Sequence, residues 1–420
     1  MFKAPRGTAD ILPQDQPYWR HIEAVAAAMC ERFGYRRIDT PVFEEAGLFV
    51  RSVGESTDVV EKETYTFEDR SKDSMTLRPE GTAPVCRAYL EHGMHVLPQP
   101  VRLYSVHVPM FRYDRPQAGR QRQFHQINCE AIGVADAAVD AEVVELAWCF
   151  FEALGLKSLS LIINSIGDPK CRPGYLEKLR AYYAPLLERL CGDCKRRYET
   201  NVLRLLDCKK ESCQPHVANA PKSVDSLCDE CRAHWDSLRS YLESLGLPYA
   251  IDHRLVRGLD YYTRTVFEVT PPEEGAQSTL GGGGRYDGLI EQLGGPPTPS
   301  VGFACGVERI ILNLKRQGIE VPPLPPVTAV VAFMGEAAKA PAVKLASDLR
   351  RQGVEAVLAP AGKSLKAQLR YATALGASKV LILGDDEVRA GTVAVKDMAT
   401  GEQKTVAVEE AHVSLRPPLR

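Results

Sequence analysis

No run of apolar residues in the sequence approaches the roughly 18 consecutive positions that a membrane-spanning helix requires. The first residues, Met1-Phe2-Lys3-Ala4-Pro5-Arg6, lack the charged head and apolar run of a secretion signal. Both absences point to a soluble cytoplasmic protein. An excess of either charge is also lacking: 52 lysines and arginines face 54 aspartates and glutamates, for a formal charge of -2. That balance excludes a protein coated in positive charge that binds nucleic acid indiscriminately, so any polyanion must be met by a local basic patch. No internal repeat occurs.

What is present is enough apolar material for several cores. With 420 residues, 45% of them hydrophobic, the chain suits about three folding units at roughly 150 residues each. Without a secretion signal, the 12 cysteines read as reduced thiols, catalytic groups or metal ligands before disulfides. Six of them crowd between Cys191 and Cys231.

Apolar residues at Trp19, Ile22, Ala26, Met29 and Phe33 have helical spacing, closed by Gly34, which can adopt the left-handed cap conformation. Pro41 then marks an extended edge segment, since it cannot donate to a central ladder. Val101 to Tyr113 and Phe124 to Gly133 read as two strands of a long hairpin, and Ser158 to Ile166 as a third strand. From Arg172 to Leu245 the pattern turns helical, with Leu227, Cys231, Trp235, Leu238, Leu242 and Leu245 on one seam. Strand signals return at Tyr261 to Thr270, and Ser300 to Lys315 reads as a strand running into a helix. Pro322, Pro323, Pro325 and Pro326 form a stiff linker. Beyond it, strands and helices alternate from Val327 to Leu383, followed by two more strands near Thr392 to Lys396 and Thr405 to Val408. This alternation predicts a mostly parallel sheet covered by helices.

The densest chemistry is Arg112, Arg115, Arg120 and Arg122 against one carboxylate, Asp114, in the proposed hairpin and its loop. Guanidinium groups bind phosphate oxygens bidentately and, held on strands, are preorganised for charge developing in phosphoryl transfer. A solvated charged loop is the alternative. Two other signals carry no nucleotide. Gly362-Lys363-Ser364 is similar to the end of a P-loop, but Val357 stands where its first glycine belongs; the Gly281 to Gly284 run is not G-x-G-x-x-G and suits close backbone packing.

The segment Phe111-Arg112-Tyr113-Asp114-Arg115-Pro116-Gln117-Ala118-Gly119-Arg120-Gln121-Arg122-Gln123-Phe124-His125-Gln126 closely resembles the second signature motif of class II aminoacyl-tRNA synthetases, in the form found in the histidyl-tRNA synthetase family. Leu255-Val256-Arg257-Gly258-Leu259-Asp260-Tyr261-Tyr262-Thr263 resembles that family's first histidine-recognition motif, and Gly283-Gly284-Arg285-Tyr286-Asp287-Gly288-Leu289 its second. Gly302-Phe303-Ala304-Cys305-Gly306-Val307-Glu308-Arg309 is similar to the third class II motif. Arg6-Gly7-Thr8, Asp10-Ile11-Leu12-Pro13 and Leu77-Arg78-Pro79-Glu80-Gly81-Thr82-Ala83 also fit, so the resemblance spans nearly the whole chain.

The resemblance implies an α+β protein. A class II antiparallel-sheet catalytic domain would occupy 1–171 and 246–321, interrupted by a helical insertion at 172–245 and followed by an α/β anticodon-binding domain at 327–420. It implies a histidine–tRNA ligase that makes histidyl-adenylate from ATP and histidine and then charges the 3′ end of its tRNA. Arg257 would be the catalytic arginine, with Arg112 on the α-phosphate and Arg309 on the γ-phosphate. Arg120 and Arg122 would support the bent triphosphate, Asp114 would belong to the same ATP-binding set, and Phe124 would stack on adenine. Histidine would place its amino group near Glu80, Thr82 and Gln126 and its imidazole between Glu130 and Tyr262, with Tyr261 lining the pocket. Read alone, Arg257 could instead pair with Asp260.

Magnesium would accompany the triphosphate. A homodimer would form through the first motif, around Pro41. Arg115 and Gln117 would meet the tRNA acceptor end, the insertion would clasp the acceptor stem, and Lys363, Lys366 and Arg370 would form a basic patch. A regulatory subunit of histidine biosynthesis is the rival reading; it predicts loss of the catalytic arginine, a degraded second motif and no anticodon domain. Cys191-x-x-Cys194 and Cys228-x-x-Cys231, with Cys208, Cys213 and His216, are either ligands of a structural zinc or buried thiols, Cys231 lying on an apolar seam.

Overall fold

The computed structural model describes residues 2–53, 63–113, 115–116, 121–272 and 279–415. They divide into two compact units, Met1–Pro322 and Pro323–Arg420.

In the first unit, helix Gln16–Arg32 begins with proline in its first turn and buries Trp19, Ile22, Ala26 and Met29 on one face. Gly34 leaves the helix with φ of 78°, the left-handed conformation that its missing Cβ permits. The central element is an eight-stranded sheet. From one edge its strands are Arg36–Arg37, Val101–Phe111, Gln123–Ile132, Ser300–Gly306, Gly281–Arg285, Thr263–Thr270, Ser160–Ser165 and Tyr249–Ile251. The six inner strands pair antiparallel, and each edge strand is parallel to its neighbour.

Period-two alternation sorts the side chains of this sheet to its two faces. Tyr104, Val106, Ile127, Cys129, Phe267, Val269, Val301, Phe303 and Cys305 join a core with helices Gln16–Arg32, Ala137–Ala153 and Val307–Arg316. The opposite face carries Gln126, Glu130, Glu268, Gly302 and Ala304, and there a second cluster forms from Tyr261, Tyr262, Tyr286 and residues of helix Thr82–Glu91. One face therefore supplies stability and the other a polar, tyrosine-lined floor. Strands Phe43–Glu45, Ser74–Leu77 and Tyr65–Glu68 make a separate antiparallel sheet.

The stretch between strands Ser160–Ser165 and Tyr249–Ile251 is helical. Helices Arg172–Tyr183 and Gly192–Thr200 and the short turns after them enclose their own core of Tyr175, Leu179, Tyr183, Leu205, Cys213 and Val217. Helix Asp229–Ser244 differs, because its Trp235, Leu238 and Leu242 pack into the main core beneath the large sheet.

The second unit contains a five-stranded sheet in the order Ala356–Leu358, Ala329–Phe333, Lys379–Leu383, Thr392–Asp397, Gln403–Ala407. The first three strands are parallel, and the last two add antiparallel. The expected mostly parallel sheet is thus mixed. A tight turn reverses the chain: Oδ1 of Asp397 accepts from the Ala399 and Thr400 N–H groups, and Gly401 takes φ of 78°. Ser364, in the segment similar to a P-loop end, caps helix Leu365–Ala374 by accepting from the Ala367 N–H.

Candidate active site

Four of the motifs converge on the open face of the large sheet. Arg112 follows strand Val101–Phe111, and its Nε donates to the Pro79 carbonyl at 2.9 Å. Its guanidinium carbon lies 5.8 Å from the centre of the Phe124 ring. Arg309, from helix Val307–Arg316, donates to the Thr279 carbonyl at 3.1 Å. Arg112, Phe124, Gln126, Arg257, Glu268, Glu308 and Arg309 all line one cavity of about 330 Å³. Three cations and an aromatic face around a cavity of that size suit a triphosphate carrying a flat base.

Arg257 forms an ion pair with Glu268, whose other oxygen accepts from Thr279 at 3.0 Å. The alternative pairing with Asp260 does not form; Asn201 donates to Asp260 instead, at 3.0 Å. Gly282 explains how the arginine fits, because a Cβ there would fall 2.9 Å from its Nη1 and 2.6 Å from the Phe267 carbonyl oxygen. The glycine run forms a fully buried strand over which the guanidinium can lie. Arg257 and Arg112 also line a larger, more open cavity of about 640 Å³ shared with Tyr262 and with Arg197, Arg204 and Lys210 of the helical stretch.

The proposed histidine residues sit beside this cavity in a buried polar cluster. Glu80 accepts from the Thr82 and Ala83 N–H groups at 2.7 and 2.9 Å, which seats its carboxylate on the N-terminus of helix Thr82–Glu91. Burial nevertheless raises its pKa. Glu130, 1% exposed, accepts from Thr82 Oγ1 at 2.8 Å and from the Tyr286 hydroxyl. Burial pushes its carboxyl up to about 8, against the pull of these two donors. Tyr261 packs between Tyr262 and Tyr286, with ring centres at 4.8 and 5.7 Å, and its hydroxyl reaches Glu80 at 3.5 Å. Oε1 of Gln126 and Nε of Arg257 are buried without a hydrogen-bond partner among the described residues, as expected of groups reserved for a ligand.

Two expected residues of the ATP set, Asp114 and Arg120, lie outside the described residues, as does Gln117. Arg122 is directed to Tyr113, over whose ring its guanidinium carbon sits at 4.3 Å. Tyr286, Glu268 and the Glu308–His125 pair, at 2.8 Å, were not among the expected site residues. Tyr286 and Glu308 stand inside motifs already recognised; Glu268 carried no signal, since a lone glutamate on a strand reads as a solvated side chain.

The cysteines form two groups instead of one. Cys191, Cys194, Cys208 and Cys213 bring their sulfurs within 4.8 Å of one another, and so do the ligand atoms of Asp168, Cys171, Cys228 and Cys231. The two Cys-x-x-Cys pairs are thereby separated, and His216 joins neither group. Cys171 and Asp168 were missed because they precede the cysteine-rich stretch in sequence.

The family model for histidyl-tRNA synthetase matches residues 7–310, and that for an anticodon binding domain matches residues 328–416. A histidine–tRNA ligase of Dehalococcoides mccartyi (strain ATCC BAA-2266 / KCTC 15142 / 195) is 58% identical over 410 residues, covering 98% of each chain. One of Desulforamulus reducens is 51% identical over 406 residues, covering 97% of each. The crystal structure of apo S. aureus histidyl-tRNA synthetase superimposes with a TM-score of 0.82 at 40% identity, over 99% of this chain and 100% of that one. On the strength of these matches, the chain belongs to the histidyl-tRNA synthetase family.

Proposed function

We infer that the chain is a histidine–tRNA ligase. It joins the carboxylate of histidine to the α-phosphate of ATP with loss of pyrophosphate, then passes the histidyl group to the terminal ribose of its tRNA with loss of AMP. The observation that carries this reading is the 330 Å³ cavity that unites Arg112, Phe124, Arg257 and Arg309 beside the buried polar cluster of Glu80, Thr82, Glu130 and Tyr261. Phe124 offers a face to adenine. Arg112 and Arg257 neutralise charge gathering at the α-phosphate as the histidine carboxylate oxygen attacks, and Arg309 holds the far end of the triphosphate. Glu268 keeps Arg257 in place, so its cation is prepaid before substrate arrives.

Histidine fits the adjoining cluster. Glu80 and the unpaired Gln126 oxygen accept from the α-amino group, and Glu130 and Tyr262 meet the imidazole. A site that pairs both ring nitrogens rejects side chains that would leave its buried groups unpaired. A magnesium ion bound with the triphosphate would help neutralise its phosphate charge. The donor set suits it, because Mg²⁺ is typically held by one or two carboxylates together with substrate phosphates, and Glu268 and Glu308 are the carboxylates on the cavity wall.

The tRNA acceptor end approaches Arg115, the insertion embraces the acceptor stem, and the 327–420 unit reads the anticodon with a patch that includes the exposed Lys363, Lys366 and Arg370. A homodimer uses the surface around Pro41, where Val42 and Phe43 are exposed and Phe43 touches the exposed Phe67. Among the described residues no helix is long and apolar enough to cross a membrane. The ligase reading itself places the protein in the cytoplasm, where tRNA is charged. A structural zinc in the cysteine-rich segment belongs to the same reading.

The regulatory-subunit reading requires loss of the catalytic arginine, and Arg257 is present and lines the ATP cavity. Histidine-dependent pyrophosphate exchange tests the assignment. Exchange with histidine and with no other amino acid is the expected result, and its absence would exclude the ligase.

A further inference from the structure

We propose that the chain binds two structural zinc ions: one at Cys191, Cys194, Cys208 and Cys213, and a second at Asp168, Cys171, Cys228 and Cys231. This refines the structural-zinc part of the functional reading and stands apart from its catalytic part.

The distances fit a metal and not a disulfide. Sγ of Cys191 and Sγ of Cys208 are 3.9 Å apart. A disulfide needs about 2.05 Å. Four sulfurs at the usual zinc distance of about 2.3 Å form a tetrahedron with edges of about 3.8 Å. In the second group Sγ of Cys171 and Oδ1 of Asp168 are 3.6 Å apart. The corresponding sulfur–oxygen edge around zinc is about 3.5 Å.

Each group is also built by the backbone. Cys191 is the N-cap of helix Gly192–Thr200 and Cys228 the N-cap of helix Asp229–Ser244, so each Cys-x-x-Cys pair wraps the first turn of a helix. The N–H of Cys191 donates to Cys213 Sγ at 3.3 Å. Cys171 likewise caps helix Arg172–Tyr183. Three helices thus begin at ligand cysteines. Gly167 makes room for the second group: it takes φ of 67°, and a Cβ there would fall 2.7 Å from Cys171 Sγ.

The two sites do different work. Cys194, Cys208 and Cys213 belong to the core of the helical stretch itself, which is built of short helices and turns. A metal there supplies cohesion that so small a core lacks. The second site joins the start of that stretch, at Cys171, to its last helix, at Cys228 and Cys231, and holds both against the catalytic sheet. Oδ2 of Asp168 accepts from Arg264 at 3.3 Å, and the Arg264 N–H donates to the Gly167 carbonyl at 2.7 Å. Arg172, next to Cys171, donates to the carbonyl of Tyr262 in the histidine pocket. The second ion therefore fixes the root of the insertion to the backbone that carries Tyr262.

Zinc analysis of the purified full-length protein by plasma mass spectrometry tests the proposal, and it does not depend on any activity. Two zinc ions per chain are expected, falling to one in Cys194→Ser and to one in Cys231→Ser. No zinc would overturn it, and so would a single ion lost equally in either variant, which would mean one shared site. Should the variants fail to fold, cobalt replaces zinc in the unaltered chain. Tetrahedral thiolate absorption must then continue to rise up to two equivalents; saturation at one would overturn the proposal.

Discussion

A Cβ on Gly302 would lie 1.8 Å from Oε2 of Glu130, the residue it faces across the strand pair. The carboxylate can occupy its place on the sheet only because residue 302 has no side chain. Gly302→Ala must therefore displace Glu130, together with the hydroxyls of Thr82 and Tyr286 that hold it. Misplacement of a substrate-positioning group by an ångström costs about 100-fold. Pyrophosphate exchange at varied histidine should show a loss of that order in kcat/KM for histidine, with the KM for ATP much less altered.

Glu130 also predicts a pH dependence. Its folded-state pKa is raised from 4.5 to about 8 by burial, so between those values the folded chain holds a proton that the unfolded chain has lost. Stability therefore falls as pH rises through that window. Glu130→Gln carries a permanently neutral group of the same shape. Urea midpoints measured at pH 5 and pH 8 should fall less in the variant than in the wild type. An inflection near pH 8 in kcat/KM for histidine should vanish with it.

Arg257→Ala removes a preorganised cation from the cavity wall. The loss expected for one such group is about 100- to 1,000-fold in kcat. Glu268 keeps the Thr279 hydroxyl as a donor, so the fold should survive, as circular dichroism would show. Arg257→Lys retains charge without the fork and should recover only part of the rate in the exchange assay.

Asp140 and Arg285 form an ion pair in which both side chains are 0% exposed, joined by His234 at 3.3 Å from Asp140. Burial alone would raise the Asp140 pKa, yet Arg285 and His234 hold it down to about 2. Its contribution is present above the usual carboxylate value of 3.8 and is lost as pH falls through about 2. Asp140→Asn leaves a buried guanidinium poorly compensated and should cost about 3–5 kcal/mol. Urea denaturation at neutral pH measures this directly.

Much of the site was legible because its chemistry is clustered along the chain. Arg112, Phe124 and Gln126 fall within one hairpin, and period two alone sends Gln126 and Glu130 to the same face. Arg257, Tyr261 and Tyr262 share one short motif, and Arg309 lies in the first turn of the helix that follows a strand. The mixed sheet of the second unit was less legible, since the short helix Asp385–Ala390 returns the chain antiparallel to Lys379–Leu383 where the preceding βαβ pattern leads one to expect a further parallel strand.

By itself, the sequence determined the helical and strand segments, the proline linker, the family and the residues proposed to meet ATP and histidine. These depend on local periodicity and on motifs whose members lie near one another in the chain. Only the tertiary structure decided the pairings. It gave Arg257 to Glu268 and not to Asp260, set Tyr286 against Glu130, and divided the cysteines so that Cys231 sits with Asp168 and Cys171 while Cys194 sits with Cys208 and Cys213. Such partners are brought together by strand register and helix packing, and spacing along the chain does not specify either one.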